Sequence, residues 1–243
     1  MLPDVVSYDY VASVAGSCAS VPVGVNKANL EIAGINLAAT VLYPILAQDL
    51  EDAVSFTETL RQVCQDICAT KVIDTEKLLP VSDPIIPAEA YGSFVTELFQ
   101  EMVARNNSYK DANLDISVLK DREEQILLIF GIKKFVDMLT SDQRDKFLTL
   151  IDKADPCYKI HIVAVESAAR FNDLCYDMRV KNKAPGTEGI WIGDGVTDQY
   201  LLKINKITAD LYEEVGSSSG YIITHSKPRL VKLLSNREVD ANE

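Results

Sequence analysis

The chain has 243 residues, 47% of them hydrophobic, which is enough apolar material for one sizeable core. Its 36 Asp and Glu residues outnumber 24 Lys and Arg residues, and the resulting net charge of −12 repels phosphate backbones, so we expect no nucleic-acid partner. No apolar run approaches the roughly 18–20 residues that span a bilayer, and no positively charged leader precedes an apolar segment, so we expect a soluble, unexported polypeptide.

The five cysteines are odd in number and scattered along the chain, at positions 18, 64, 68, 157 and 175. This pattern is poor for a disulfide framework and fits a reducing cytoplasm. Cys64 and Cys68 share one predicted helix face, but no second pair has the spacing of a metal site. We therefore interpret the thiols as packing residues and expect no bound metal.

The first quarter of the chain alternates short apolar segments with turn residues. Segments 21–25 and 30–37 are separated by turn-prone residues and predict a hairpin. The continuous apolar run 41–46 is typical of a strand buried on both faces, and an amphipathic helix follows from about Asp52. A strand, a loop and a helix in this order form the layout of a phosphate-binding loop.

The middle of the chain continues with helical and buried segments. Apolar residues recur at helical spacing over 91–103 and predict a second amphipathic helix. We expect a polar loop over 106–119 and another buried strand over 125–130. Thr140 and Gln143 have capping-box spacing and predict the start of a short helix.

The second half of the chain repeats the alternation. Residues 160–165 predict a third buried strand, and a helix is expected over 167–178. Buried strands that alternate with amphipathic helices imply a mostly parallel sheet covered on both sides. Segment 220–234 predicts two strands joined at 226–228, and we expect 236–243 to be a flexible tail.

The segment that follows the strand 41–46 occupies the place of a phosphate loop and begins at Ala47. A working loop needs glycines for close backbone approach, a Lys for the β and γ phosphates, and a Ser or Thr for Mg²⁺. Where Gly, Lys and Ser or Thr would stand, this chain has Asp52, Ala53 and Val54. The loop is therefore degenerate.

Three carboxylates, those of Asp49, Glu51 and Asp52, lie where a triphosphate would bind. At an effective dielectric constant of about 20, one such charge about 4 Å from a phosphate costs on the order of 4 kcal/mol. An alternative interpretation is an ordinary acidic helix entry, because acidic residues are favourable at helix N-termini.

A second nucleotide motif would place a carboxylate after a buried strand, where it orients Mg²⁺ and water. The strand 125–130 ends instead in Phe130 and Gly131. Two independent positions therefore argue against ATP hydrolysis. We expect no catalytic residue and no cofactor-binding residue at either position.

The glycine-rich stretch 193–198 permits two sharper interpretations, a nucleotide loop or a calcium loop. The third glycine of a dinucleotide fingerprint is missing, and the twelve-residue calcium spacing is not met. A tight turn at Asp194 and Gly195 is the simpler interpretation.

Two histidines and one acidic pair remain. His161 lies in a strand pattern and His225 in the terminal hairpin, with no nucleophile and carboxylate arranged around either. We interpret both as structural or surface residues. Glu123 and Glu124 lie in a charged stretch, which is typical of a solvated face.

Three blocks, 121–135, 189–204 and 220–234, carry a resemblance to a known family, and the second contains Gly-Ile-Trp-Ile-Gly-Asp-Gly with the only Trp. The chain resembles the C-terminal ATPase-like domain of EssC-type proteins. These belong to the FtsK/SpoIIIE superfamily and are the membrane motors of type VII secretion in Gram-positive bacteria. The resemblance is strongest over 121–234 and weaker over 22–70.

The resemblance implies an α/β fold: a RecA-like P-loop NTPase sandwich, with a mostly parallel sheet flanked by helices and a C-terminal β-hairpin. It implies one degenerate domain over 1–235, cut from a longer protein on the cytoplasmic side of the bacterial cell membrane. ATP and Mg²⁺ are the ligands of the family, and neither is expected here. The implied partners are small helical secreted proteins, neighbouring ATPase modules of the same chain, and further copies in a homo-oligomer of the full-length protein.

Two hypotheses about function follow. The first is a non-hydrolysing domain that recognises secretion substrates or regulates neighbouring motor modules. The second is an active ATPase domain of a secretion or DNA-translocating motor, with an unrecognised phosphate site. A helical substrate would need an exposed apolar groove, and the acidic surface would fit a basic partner.

Overall fold

The computed structural model describes residues 5–12, 16–80, 85–184 and 186–236. Within these residues, nine strands form one mixed sheet. The strands are β1 (Val21–Asn26), β2 (Ile32–Ile35), β3 (Leu42–Ala47), β4 (Ala69–Asp74), β5 (Gln125–Phe130), β6 (Ile160–Ser167), β7 (Glu188–Ile192), β8 (Ser219–Thr224) and β9 (Lys227–Leu233). The α-helices are α1 (Tyr8–Ala12), α2 (Val54–Ile67), α3 (Tyr91–Asp111), α4 (Ile132–Met138), α5 (Ser141–Lys153), α6 (Ala168–Leu174) and α7 (Met178–Lys183).

Parallel strands form one half of the sheet, in the order β7, β3, β6, β5, β4. The register places Leu42 of β3 and Leu127 of β5 on either side of Ile162 in β6. Because β6 lies between β3 and β5, the two strands that precede the predicted nucleotide motifs are not neighbours. The carboxyl ends of all these strands lie at one edge of the sheet, where open α/β folds bind their ligands.

Antiparallel strands form the other half, where β8, β9, β1 and β2 extend the sheet from β7. The hairpin predicted over 220–234 is confirmed as β8 and β9, but its turn consists of His225 and Ser226 rather than 226–228. Both turn residues have a left-handed backbone, with φ of 51° and 61°. That conformation matches the twist of a two-residue hairpin turn.

Both faces of the sheet are covered, as the sequence predicts. Alternate residues of β5 enter opposite cores: Leu127 packs with Phe135 and Phe147 on one face, and Leu128 packs with Phe56 on the other. A strand buried on both faces needs a continuous apolar sequence, which explains why β3, β5 and β6 were visible as apolar runs. The α/β class with a mostly parallel sheet is therefore confirmed. Among the described residues, no helix is both long and apolar enough to cross a membrane.

The polar loop predicted over 106–119 is wrong in its first part, because α3 continues through Asp111. Buried Arg105 explains the extension. Its guanidinium donates to the backbone carbonyls of Tyr158, at 2.5 Å, and Lys159, at 3.2 Å. These bonds hold the last turns of α3 against the sheet although their sequence is polar.

Three further elements differ from the prediction. The helix predicted over 167–178 is divided into α6 and α7, because the Asp177 carboxylate accepts from the Arg179 backbone N–H at 2.9 Å and starts a new helix. The edge strand β4, which contains exposed Lys71, has no counterpart in the prediction. The predicted tail 236–243 lies outside the described residues except for Asn236, whose amide donates to Gln62 at 2.9 Å.

Candidate functional site

The loop between β3 and α2 stands at the carboxyl edge, where a phosphate loop would lie. Ala47 ends β3 and is buried, and Val54 begins α2. Between them, Leu50–Ala53 forms a turn of 3₁₀ helix whose first and last side chains are buried in the core. The backbone N–H of Asp52 donates within this turn, to the carbonyl of Asp49 at 3.2 Å. The connection is thus a short helical turn anchored in the core. A phosphate loop is instead a glycine-rich loop whose backbone N–H groups point towards the phosphates.

Carboxylates surround this turn. Asp49, Glu51 and Asp52 are exposed. Partial burial raises the pKa of Asp52, and the negative charges of Asp49, Asp194 and Glu51 raise it further. Asp194 follows β7, so a second loop adds its charge to the same region. An anionic ligand placed here would meet several like charges in partly desolvated surroundings.

Gly131 lies where the second nucleotide motif would place its carboxylate, directly after Phe130 of β5. Its φ of 82° is left-handed, and a Cβ atom there would lie 2.3 Å from Oγ1 of Thr75. The Thr75 hydroxyl donates to the carbonyl of Gly131, at 2.9 Å. An acidic side chain therefore does not fit at this position without displacing Thr75.

Glu166 near the end of β6 supplies a carboxylate to the same edge. Its side chain is fully buried and accepts from the backbone N–H of Lys133 and of Ser167, each at 2.9 Å. The Arg170 Nε atom lies 3.1 Å from it. Burial raises the pKa of Glu166 although these donors oppose the shift. The Glu166 carboxylate is therefore bound by two backbone N–H groups and by the Arg170 guanidinium.

Glu76, which follows β4, completes an ionic network around Arg170. Its two oxygens accept from the Arg170 guanidinium and from the Lys134 ammonium, the latter at 3.2 Å. Burial favours a higher pKa for Glu76, but the hydrogen bonds from Arg170 and Lys134 outweigh it and lower the pKa. Carboxylates at this end of the edge are thus already neutralised by protein cations. This network was not predicted from the sequence.

The stretch 193–198 forms a structural loop. The Asp194 carboxylate accepts from the backbone N–H of Val215, at 2.5 Å, and Gly216, at 3.1 Å. The predicted tight turn at Asp194 and Gly195 is displaced: the closing bond runs from the Asp198 N–H to the Gly195 carbonyl, at 2.9 Å. Asp194 therefore fastens the long connection between β7 and β8.

A cleft of about 530 Å³ lies beside α6 and α7, and its walls are somewhat more apolar than polar. Buried Leu46, Phe171 and Leu202 belong to its lining, together with Tyr176 and Tyr200, which are 79% and 74% exposed. A second cleft of about 250 Å³ shares Tyr200 and Leu202 and continues to Ile204 and Ile207. We call the two clefts together the α6–α7 groove. Large exposed aromatic side chains around an apolar cleft are typical of a binding surface.

Comparisons with known proteins identify the fold. No protein-family model matches the chain, and no curated protein matches it. Among solved structures, the cytoplasmic domain of EssC matches with a TM-score of 0.80 and 14% identity, over 97% of this chain and 48% of that chain. EssC (ATPases 2 and 3) from Geobacillus thermodenitrificans matches with a TM-score of 0.77 and 14% identity, over 97% of this chain and 45% of that chain.

A third similar structure is EccC (ATPases 2 and 3) from Thermomonospora curvata in complex with a signal sequence peptide. Its TM-score is 0.67 and its identity 15%, over 98% of this chain and 44% of that chain. The chain therefore has the fold of the P-loop ATPases. Within that class, its fold is that of the ATPase domains of EssC and EccC, which confirms the resemblance noted in the sequence at the level of the fold. The chain spans about half the length of the EssC structures that it matches.

Proposed function

We propose that the chain is an ATPase-fold domain of a type VII secretion motor that binds a signal segment of a secreted protein and does not hydrolyse ATP. The observation that carries this proposal is the α6–α7 groove, with Tyr176 and Tyr200 exposed around an apolar cleft. The full-length protein would present this domain on the cytoplasmic side of the membrane, next to further ATPase modules. The matched EssC structure with two ATPases supports this arrangement, because the chain covers 45% of it.

The nucleotide edge supports a non-hydrolysing role. A helical turn anchored by buried Leu50 and Ala53 stands in place of a glycine-rich phosphate loop, and Asp49 and Asp52 add negative charge there. The first hydroxyl in α2 is that of Ser55, and it is hydrogen-bonded to the hydroxyl of Ser235 at 2.7 Å. Neither Gly131 nor Glu166 offers an available carboxylate for Mg²⁺ in the usual position, since the first has no side chain and the second is held by Arg170.

The groove supports peptide binding in both shape and chemistry. Its apolar lining would take the anchors that a helix presents at i, i+3, i+4 and i+7. A related EccC structure contains a signal sequence peptide, which makes such a segment the best candidate for this groove. Lys181 and Lys203 also lie in the lining. We therefore propose a helical segment with apolar anchors and at least one carboxylate, although the net charge of the whole chain would favour a basic partner.

Replacement of Tyr200 by Ala is expected to weaken binding of such a segment at least tenfold, or about 1.4 kcal/mol, because exposed aromatic anchors dominate interfaces of this kind. Fluorescence anisotropy with labelled helical segments of small secreted proteins would measure the change. The thermal midpoint should stay unchanged, since Tyr200 is 74% exposed.

Tyr212 provides the matched control for Tyr200. It is 67% exposed and does not belong to the groove lining. Tyr212→Ala should bind the segments as the unmodified protein does. Equal affinities in all three proteins, or equal losses in both variants, would show that the groove is not the binding surface.

Mg-ATP is expected to bind with a dissociation constant above about 1 mM, which corresponds to a binding free energy weaker than about −4 kcal/mol. The reason is that Ala53 stands where the Lys would be, and that the carboxylates of Asp49, Glu51 and Asp52 lie where the phosphates would bind. Isothermal titration measures this directly. Asp49→Asn with Asp52→Asn should remain weak, because the Lys is still missing. Micromolar binding by the unmodified chain would instead support the second hypothesis, an active ATPase domain.

A further inference from the structure

Three side chains with metal-binding atoms meet at the amino-terminal edge of the parallel strands, opposite the nucleotide edge, and a fourth lies beside them. The three are Cys18 before β1, Glu124 before β5 and His161 in β6, and the fourth is Cys68 after α2, which is near the sulfur of Cys18. The two sulfur atoms lie 3.5 Å apart, and Nε2 of His161 lies 3.1 Å from Oε1 of Glu124. The ligand atoms of Cys18, Glu124 and His161 all lie within 4.8 Å of one another.

The orientation of His161 leaves a lone pair directed into this cluster. Its Nδ1 atom lies 2.9 Å from the backbone carbonyl of Thr40, which can only accept a hydrogen bond, so Nδ1 carries the hydrogen. In the neutral imidazole, Nε2 is then an acceptor, and it faces a carboxylate oxygen of Glu124, another acceptor. Two acceptors at 3.1 Å need a cation or a proton between them. A carbonyl that fixes the imidazole in this way is also the usual support of a metal-bound histidine.

The spacing and the chemistry of the donors fit Zn²⁺. Bonds of about 2.3 Å to sulfur and about 2.0–2.1 Å to nitrogen and oxygen place tetrahedral ligands roughly 3.3–3.8 Å apart. The 3.5 Å between the two sulfurs and the 3.1 Å between His161 and Glu124 are both slightly shorter than these values. Cys68 lies outside the 4.8 Å group that the other three donors form, so its side chain must move towards Glu124 and His161 to complete the tetrahedron. Thiolate and imidazole ligands favour zinc over magnesium or calcium, which prefer oxygen.

We propose that Cys18, Cys68, His161 and Glu124 form a structural Zn²⁺ site. Binding releases the protons of the two thiols to solvent, and His161 coordinates through Nε2. The ion ties the segment before β1 and the end of α2 to the amino-terminal ends of β5 and β6. It therefore stabilises the contact of the segment before β1 with the parallel strands, at the edge opposite the nucleotide edge.

The test uses the full chain, reduced and freed of metal, with Zn²⁺ and Co²⁺ as probes. We expect uptake of one ion per chain. The Co²⁺ form should show thiolate-to-cobalt charge transfer and the visible bands of a tetrahedral site. A hundredfold excess of free Zn²⁺ over the dissociation constant should raise the thermal midpoint by roughly 5–10 °C.

Glu124→Gln is the principal variant, because Glu124 is partly exposed and Gln keeps its shape. It should weaken Zn²⁺ binding at least about tenfold and leave the metal-free chain folded, because the Gln amide can donate to Nε2 of His161. Glu123→Gln, at the exposed neighbouring position, should bind as the unmodified chain does. Cys68→Ser should also remove the thiolate-to-cobalt band, with Cys175→Ser as its control.

Three outcomes would overturn the proposal. The first is the absence of metal uptake by the reduced chain. The second is uptake that Glu124→Gln and Cys68→Ser leave unchanged, since the ion would then bind elsewhere. The third is a Cys18–Cys68 disulfide, seen as the loss of a pair of hydrogen atoms in the mass of chain purified without reductant, together with no uptake after reduction.

Discussion

Replacement of Gly131 by Val is expected to destabilise the fold by about 3–5 kcal/mol. A side chain at a left-handed φ of 82° costs roughly 1–2 kcal/mol, and more when it is β-branched. The new Cβ atom would lie 2.3 Å from Oγ1 of Thr75 and 3.0 Å from Oε1 of Glu76. The Thr75 hydroxyl would have to leave the carbonyls that it binds, at about 1 kcal/mol for each lost hydrogen bond. Urea denaturation followed by the fluorescence of Trp191 would measure the loss.

Gly216 separates the two causes of this loss. Its φ of 67° is also left-handed, but a Cβ atom there would meet nothing within 4 Å. Gly216→Val should therefore show the backbone cost alone, about 1–2 kcal/mol. If both variants lost the same stability, the contact with Thr75 would contribute nothing, and the steric part of the argument would be wrong.

The same geometry predicts that an acidic residue does not fit at position 131. An Asp or Glu at position 131 would meet Thr75 as Val does. The neighbouring backbone N–H of Lys133 is already occupied by the carboxylate of Glu166. Residues that follow β4 and β5 and the end of β6 are therefore joined to one another by hydrogen bonds at this edge.

Burial decided which elements could be predicted. The strands β3, β5 and β6 are buried on both faces, so their sequences are continuous apolar runs with boundaries within two residues of those predicted. The edge strand β4 carries exposed Lys71, which interrupts the pattern as charged residues on edge strands commonly do. The last turns of α3 depend on contacts of Arg105 with residues more than 50 positions away, so the local sequence does not predict them.

Sequence separation decided how much of the candidate sites could be predicted. The loop at 47–54 is continuous in sequence, so the order of strand, loop and helix located it. The ionic network of Glu76, Glu166 and Arg170 joins residues from three elements. Only its Glu166–Arg170 pair is local in sequence, with four-residue spacing after a buried strand, so only that pair could have been predicted. The zinc cluster joins four elements and has no characteristic spacing. Interpreting Glu124 as part of a solvated face was wrong in detail, because it is half-buried against His161.

Trp191 lies in one of the three blocks that carry the resemblance, and its replacement by Ala is expected to cost about 3–5 kcal/mol. The side chain is fully buried in the core that also contains Leu202 of the groove, and its Nε1–H donates to the carbonyl of Asp194 at 2.6 Å. Loss of the indole would leave a large cavity and an unsatisfied carbonyl in the loop that Asp194 fastens. Urea denaturation followed by circular dichroism is the measurement, since Trp191 is the only Trp.

Trp191→Phe distinguishes the hydrogen bond from the packing. It keeps most of the ring volume and removes only the Nε1–H, so we expect a loss of about 1–3 kcal/mol. Because the carbonyl of Asp194 would lose its donor, the loop after β7 should also become more open to amide hydrogen exchange, while α3 should not. A phenylalanine variant as stable as the parent would show that the indole contributes by volume alone. An alanine variant that lost less than about 1 kcal/mol would contradict the burial of Trp191 in the core that it shares with Leu202.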